Sequence, residues 1–283
     1  QTPLGYILMS ITINAAPSPK AHIKTLMKIG YDFCTALADI IDNSVSAESS
    51  TITIFSPPGM PTPYLTIIDD GHGMDEHELI NNMKIGCKDP AEARNSDDLG
   101  RFGSGMKTAS FSQARKLIVL SKTSNSNICG ASWDIDKIIS EDAWCLEKLD
   151  KNDIALLENQ GVVQLGNQGT QIIWQKLTCY QKDAHASNHD AQIASLLATA
   201  DKHIGLHFHR FMSGAGKLNF YINNKPIEAT DPFMTSSSGY QEGRKEKFRC
   251  KGGYIEIKTH VLPSFSRMGK SEMNSQGGAA EIA

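Results

Sequence analysis

Apolar positions recur along this chain with two different periods, and the alternation between them outlines a mixed α/β protein. Over residues 31–45, Phe33, Leu37, Ile40 and Ile41 fall four, three and one apart, the stripe of a helix with one buried face. Residues 51–55 alternate apolar and polar and residues 64–68 run nearly continuously apolar, so both read as strands, joined by a Pro/Gly-rich turn over 57–63. The same reasoning predicts a strand at 6–13, helices at 20–29 and 106–113, and strands at 116–121, 128–135, 162–165 and 170–175. Residues 71–105 carry Gly, Asp, Asn and Lys with little periodicity. So long an irregular stretch inside a compact domain usually has a function, often that of a lid.

A polar segment at 181–190 marks a change of character. Beyond it a helix is expected at 191–211, a strand–turn–strand at 218–222, Asn223-Asn224 and 225–227, and a strand at 254–261. Two domains follow, 1–182 and 183–283, the second expected to be incomplete or to end in a disordered tail, since Gly277-Gly278-Ala279-Ala280 is unlike a finished core.

Composition narrows the class. The 283 residues are 40% hydrophobic and 21% charged with a net charge of −3, which suits a globular protein and gives no global electrostatic case for nucleic acid. Six scattered cysteines without a Cys-x-x-Cys pair read as reduced thiols. No apolar run approaches the roughly 20 residues that cross a bilayer. A cytoplasmic location is the expectation.

Four short segments carry candidate chemistry. Asp39 and Asn43 stand four apart on a helix and so share a face, interrupting an otherwise apolar stretch. Asn43 offers an amide oxygen suited to Mg²⁺, and Asp39 a carboxylate able to orient or deprotonate water. Asp69 closes a buried strand just before Gly71 and Gly73, where it can accept from an exocyclic amine such as that of adenine. Met74 can then pack on the purine face. Gly100, Gly103, Ser104 and Gly105 precede a helix that also carries Met106 and Lys107, an arrangement that can turn backbone N–H groups toward phosphate. Gly169-Thr170 opens a strand, its hydroxyl placed to support Asp69.

Other arrangements are weaker. A Walker P-loop is excluded because the register Gly100 to Gly105, Met106, Lys107-Thr108 is one residue off and no buried strand precedes it. His203, His207 and His209 have possible metal spacing, but the interleaved Ile204, Leu206 and Phe208 read as a packed helix. The basic cluster 244–249 reads as a solvated loop, with a nucleic-acid or partner contact as the alternative.

Taken in order, D-x-x-x-N, D-x-G-x-G, G-x-x-G-x-G and G-T resemble the motifs of the GHKL ATPases, which include gyrase B, the heat-shock chaperone of the same fold, sensor histidine kinases and MutL. The stretches around Asp39–Asn43 and Gly100–Thr108 look most like MORC-type and MutL-like members. The resemblance covers roughly residues 15–180. It implies an α+β two-layer sandwich of the Bergerat type, followed by a partial transducer-like α/β domain. It further implies bound ATP and Mg²⁺, a lid over about 75–107, and homodimerisation on ATP binding that acts on a protein or DNA partner. By the motif match Asn43 holds the metal, Asp69 meets adenine, and Gly100 to Lys107 surround the phosphates. MutL, gyrase and the chaperone carry Glu where this chain has Asp39. The side chain is shorter by one methylene, about 1.5 Å of reach. Slow turnover is therefore expected, or, as an alternative, a regulatory clamp that binds nucleotide without significant hydrolysis.

Overall fold

A computed structural model describes residues 16–86, 105–179, 189–214 and 216–264. Helix α1 (Pro19–Leu26) is capped by Ser18, whose hydroxyl accepts from the Ala21 N–H. Helix α2 (Phe33–Ser46) begins at the Asp32 cap and buries Phe33, Ala36, Leu37, Ile40, Ile41 and Ser44, the stripe the sequence predicts. Strands β1 (Thr51–Phe55) and β2 (Leu65–Asp69) follow, paired antiparallel with Ile52 opposite Asp69. After α3 (Glu76–Met83) and α4 (Gly105–Gln113) come β3 (Ala114–Lys122), β4 (Cys129–Asp134), α5 (Ile135–Glu141), β5 (Leu146–Lys148), α6 (Lys151–Asn159) and β6 (Gly169–Leu177). Helix α7 (His189–His207), β7 (Asn219–Ile222) and β8 (Lys225–Pro226) complete the layer.

Among the described residues the strands form one eight-stranded sheet in the order β5-β4-β3-β6-β2-β1-β7-β8. Its pairs are antiparallel except β1 with β7, which run parallel. Ile52, Ile54, Leu65, Ile67, Leu117, Val119, Ile172 and Trp174 share one core with the buried stripe of α2 and with Ala109 and Phe111 of α4. This is the α/β sandwich expected. Helix α7 packs on α2 and β7 extends the sheet beside β1, so residues beyond the expected break at 182/183 join the same layers. Asn223 and Asn224 both take positive φ, 48° and 65°, and make the tight turn between β7 and β8.

The opposite sheet face is also partly covered, which explains one correction. Tyr64, Ile118, Leu120 and Ile173 pack there with Leu157 of α6 and with Val162. Residues 162–165, expected as a strand, make no ladder. Instead the fully buried Gln171 side chain donates 2.8 Å to the Val162 carbonyl and accepts 2.9 Å from the Gln164 N–H. A side-chain amide does there what a neighbouring strand does elsewhere.

Three further differences have local causes. Helix α3 lies inside the stretch expected to be irregular; Asp75 and Glu78 form a capping box, and Leu79 and Met83, four apart, are buried. Helices α5 and α6 and the short β5 were not expected, although Asp150 and Asp153 make the same kind of box at α6. The basic cluster 244–249 is no loop but part of β9 (Gln241–Cys250), which pairs only with β10 (Gly253–Val261) in a separate two-stranded sheet. The strand expected at 6–13 lies outside the described residues. No described helix is long and apolar enough to cross a membrane.

Gln171→Leu tests the side-chain bridge. It leaves the Val162 carbonyl and the Gln164 N–H without their partner and is expected to cost about 1–3 kcal/mol in urea unfolding; an unchanged midpoint contradicts the bridge.

Candidate nucleotide site

The site is built on α2 and on the ends of β2, β3 and β6. Leu65, Ile67 and Asp69 point to the helical face of the sheet, the first two into the core and the third beneath α2. Asp69 is 8% exposed. Its Oδ2 accepts 2.9 Å from the buried Ser44 hydroxyl, and its Oδ1 accepts from the Gly71 N–H at 3.0 Å and the Thr170 N–H at 3.2 Å. Burial pushes the Asp69 carboxyl above the ordinary carboxylate range, and the donations from Ser44, Gly71 and Thr170 oppose this without cancelling it. The neighbouring Asp70 goes the other way. Although burial raises it, bonds from Ser50 and Thr51 hold it below its usual value.

Thr170 supports Asp69 through its backbone, not its hydroxyl. That hydroxyl lies 2.9 Å from Ser121 Oγ, which donates to the Gly169 carbonyl at 3.0 Å and takes the Met74 N–H at 2.9 Å. Ser44 and Ser121, neither singled out from the sequence, thus organise the pocket floor. Ser44 had a signal: it directly follows Asn43 and falls on the buried side of α2, three and four residues beyond Ile41 and Ile40. The Met74 sulfur takes the Asn82 amide at 3.2 Å.

Gly73 and Gly169 have a packing role. Gly73 has φ of 67°, and a Cβ there would lie 2.0 Å from the Lys122 carbonyl oxygen; at Gly169 it would lie 2.0 Å from that of Asp69. Only glycine lets the ends of β2, β3 and β6 approach so closely.

Asp39 and Asn43 sit one turn apart on α2, as expected. The Asn43 amide nitrogen donates 2.8 Å to the Asp39 carbonyl, which leaves its amide oxygen as the end that can meet a cation. Asn43 is exposed, and a hard oxygen in that position suits Mg²⁺. Among the described residues no group of three or more His, Cys, Asp or Glu could hold a metal, the 203–209 histidines included. His203 and His207 instead stack at 3.8 Å. Gly105, at the start of α4, lies beside Asp39, and Met106 packs against the core. Lys107 is 2% exposed and donates 2.5 Å to the Asn82 carbonyl at the end of α3, joining α4 to α3. Gly100, Gly103 and Ser104 lie outside the described residues. A cavity of about 330 Å³ is lined by Thr51, Thr53, Ile68, Asp69, Asp70 and residues of the 164–168 loop.

The family model described as histidine kinase-, DNA gyrase B- and HSP90-like ATPase matches residues 31–168. This segment, just under half of the chain, is similar to the GHKL-type ATPases. The matched segment takes in α2, Asp69 and the sheet up to the start of β6. Mouse ATPase MORC2B is 31% identical over 97 residues, 33% of this chain and 9% of that protein. ATPase morc-1 of Caenorhabditis elegans is 28% identical over 88 residues, 31% of this chain and 10% of that protein. Human ATPase MORC2 is 27% identical over 97 residues, 33% of this chain and 9% of that protein. The matches span about a tenth of these relatives' length, and the similarity is to MORC-type members of the GHKL ATPases.

Two variants probe the site. Asp69→Asn removes a buried charge whose folded value lies above the unfolded value of about 3.8. A raised carboxyl favours the fold most below the unfolded value, and that contribution is lost as pH rises through the folded one. Hence the melting temperature of the variant relative to wild type is expected to rise between about pH 4 and neutrality; a pH-independent difference contradicts the burial of an ionised group. Gly73→Ala is expected to lose about 1–3 kcal/mol from backbone strain alone, and wild-type stability in thermal melts would contradict the close approach.

Proposed function

We propose that this GHKL-like domain binds ATP with Mg²⁺ between α2 and the lid and hydrolyses it slowly, closing and dimerising in the ATP state to act on a partner. One observation carries the reading. A single helix presents Asp39 and Asn43 on one face, while Ser44, next along it, clamps the carboxylate of Asp69. The three functions lie within five residues, about 7.5 Å along the helix axis. Asp69 takes the adenine amine, Asn43 the metal, and Asp39 orients the attacking water. Gly100, Gly103, Ser104, Gly105 and Met106 line the phosphates as the family motif implies, and Lys107 braces the lid. Bound Mg²⁺ neutralises phosphate charge, and catalysis is mainly positioning, as elsewhere in phosphoryl transfer.

Asp39 supports slow turnover, because its reach is one methylene short. The second reading, a clamp that cycles by binding and release, draws on that same shortness. Hydrolysis assays separate them. Asp39→Asn is expected to lower turnover by about 10²-fold or more with ATP affinity retained, and Asn43→Ala to remove the Mg²⁺ dependence of binding. Unchanged turnover in both variants contradicts the assigned roles. Light scattering with ATP and with a non-hydrolysable analogue tests dimerisation; a monomer with either ligand contradicts it.

A further inference from the structure

Asp39 is already engaged. Tyr31 stands just before α2, its hydroxyl donating 2.7 Å to Asp39 Oδ2, and both side chains are half-buried. Helix α4 in turn holds Tyr31 at two places. Thr108 hydrogen-bonds the phenol, and the buried Gln113 side chain donates 3.1 Å to the Tyr31 carbonyl. Gly105 closes another side, since a Cβ there would lie 3.3 Å from Asp39 Oδ2. Burial and the charge of Asp39 push the Tyr31 phenol above its ordinary value, so it stays protonated and a donor at neutral pH. One Asp39 oxygen is therefore fixed by Tyr31, and Oδ1 has no hydrogen-bond partner among the described residues.

We infer that Tyr31 is a positioning residue, which locks the short Asp39 side chain for water attack and ties it to α4. The inference rests on the role given to Asp39 above. A hydroxyl donating to a carboxylate is a charge-assisted bond, stronger than a neutral one. A carboxylate with limited reach gains most from such a bond, because small misplacements of a catalytic group cost large factors in rate. The two anchors on α4 hold the phenol and the backbone of Tyr31, so Asp39 is fixed through that helix.

The test is a double-mutant cycle with Tyr31→Phe and Asp39→Asn, reading kcat, KM, the affinity of a non-hydrolysable ATP analogue and the melting temperature. Tyr31→Phe is expected to lower kcat about tenfold or more, with KM and analogue affinity within about twofold of wild type and the melting temperature nearly unchanged. The double variant is expected to be no slower than Asp39→Asn, because Tyr31 acts only through Asp39. Thr108→Val, which keeps the phenol but loosens its anchor, is expected to lower kcat by a smaller factor. Wild-type kcat in Tyr31→Phe beside an inactive Asp39→Asn overturns this inference and leaves the function standing. A loss that appears in analogue affinity instead of kcat, or that multiplies the Asp39→Asn loss, overturns it too. Full activity of Asp39→Asn removes the role of Asp39 and the inference together.

Discussion

The buried carboxylate of Asp69 is the constraint on which the site depends. It lies at the end of a core strand, 8% exposed, and is held by a hydroxyl from α2, an N–H from its own turn and an N–H from β6. Burying such a group without partners is costly. Each donor that offsets the cost also fixes a piece of backbone: Ser44 sets the height of α2 over the sheet, Gly71 the turn after β2, and Thr170 the register of β6. The glycines at 73 and 169 let these pieces close on one another. On the function proposed above, stability is given up for a buried acceptor that a purine amine can reach.

From that anchor the rest of α2 acquires its meaning. Its apolar stripe sinks into the core through Leu37, Ile40 and Ile41, and α2 also packs on α4. Asp39 and Asn43 stand outside that stripe, and α4 brings Gly105 up to Asp39 while Lys107 reaches away to the end of α3. On the function proposed above, this helix spans from the base-binding end of the site to the end where water would attack.

Much of this was legible beforehand, for identifiable reasons. Helix α2 and strand β1 show clean periodicity, and the motif order exposed Asp39, Asn43 and Asp69 because unusual polar residues stood among apolar ones. What stayed hidden was carried by ordinary residues in ordinary places. Ser44, Ser121 and Gln171 act through side-chain hydrogen bonds that leave no periodic trace, and Tyr31 gains its role only when α4 folds back on it. Residues 162–165 have strand-like composition yet are satisfied by a glutamine from β6, a distinction periodicity cannot make. Helix α3 was masked by its polar composition, although its capping box was written at Asp75 and Glu78.

The central claim is that the Asp69 carboxylate receives an exocyclic amine. Calorimetric titration with ATP and with ITP, both with Mg²⁺, tests it most directly. ITP has the same phosphates and sugar but presents a carbonyl oxygen where ATP presents the amine. An acceptor held as Asp69 is held must disfavour that oxygen, and the expected loss of affinity is about tenfold or more. Equal binding of the two nucleotides, or binding of neither by folded protein, would contradict the account.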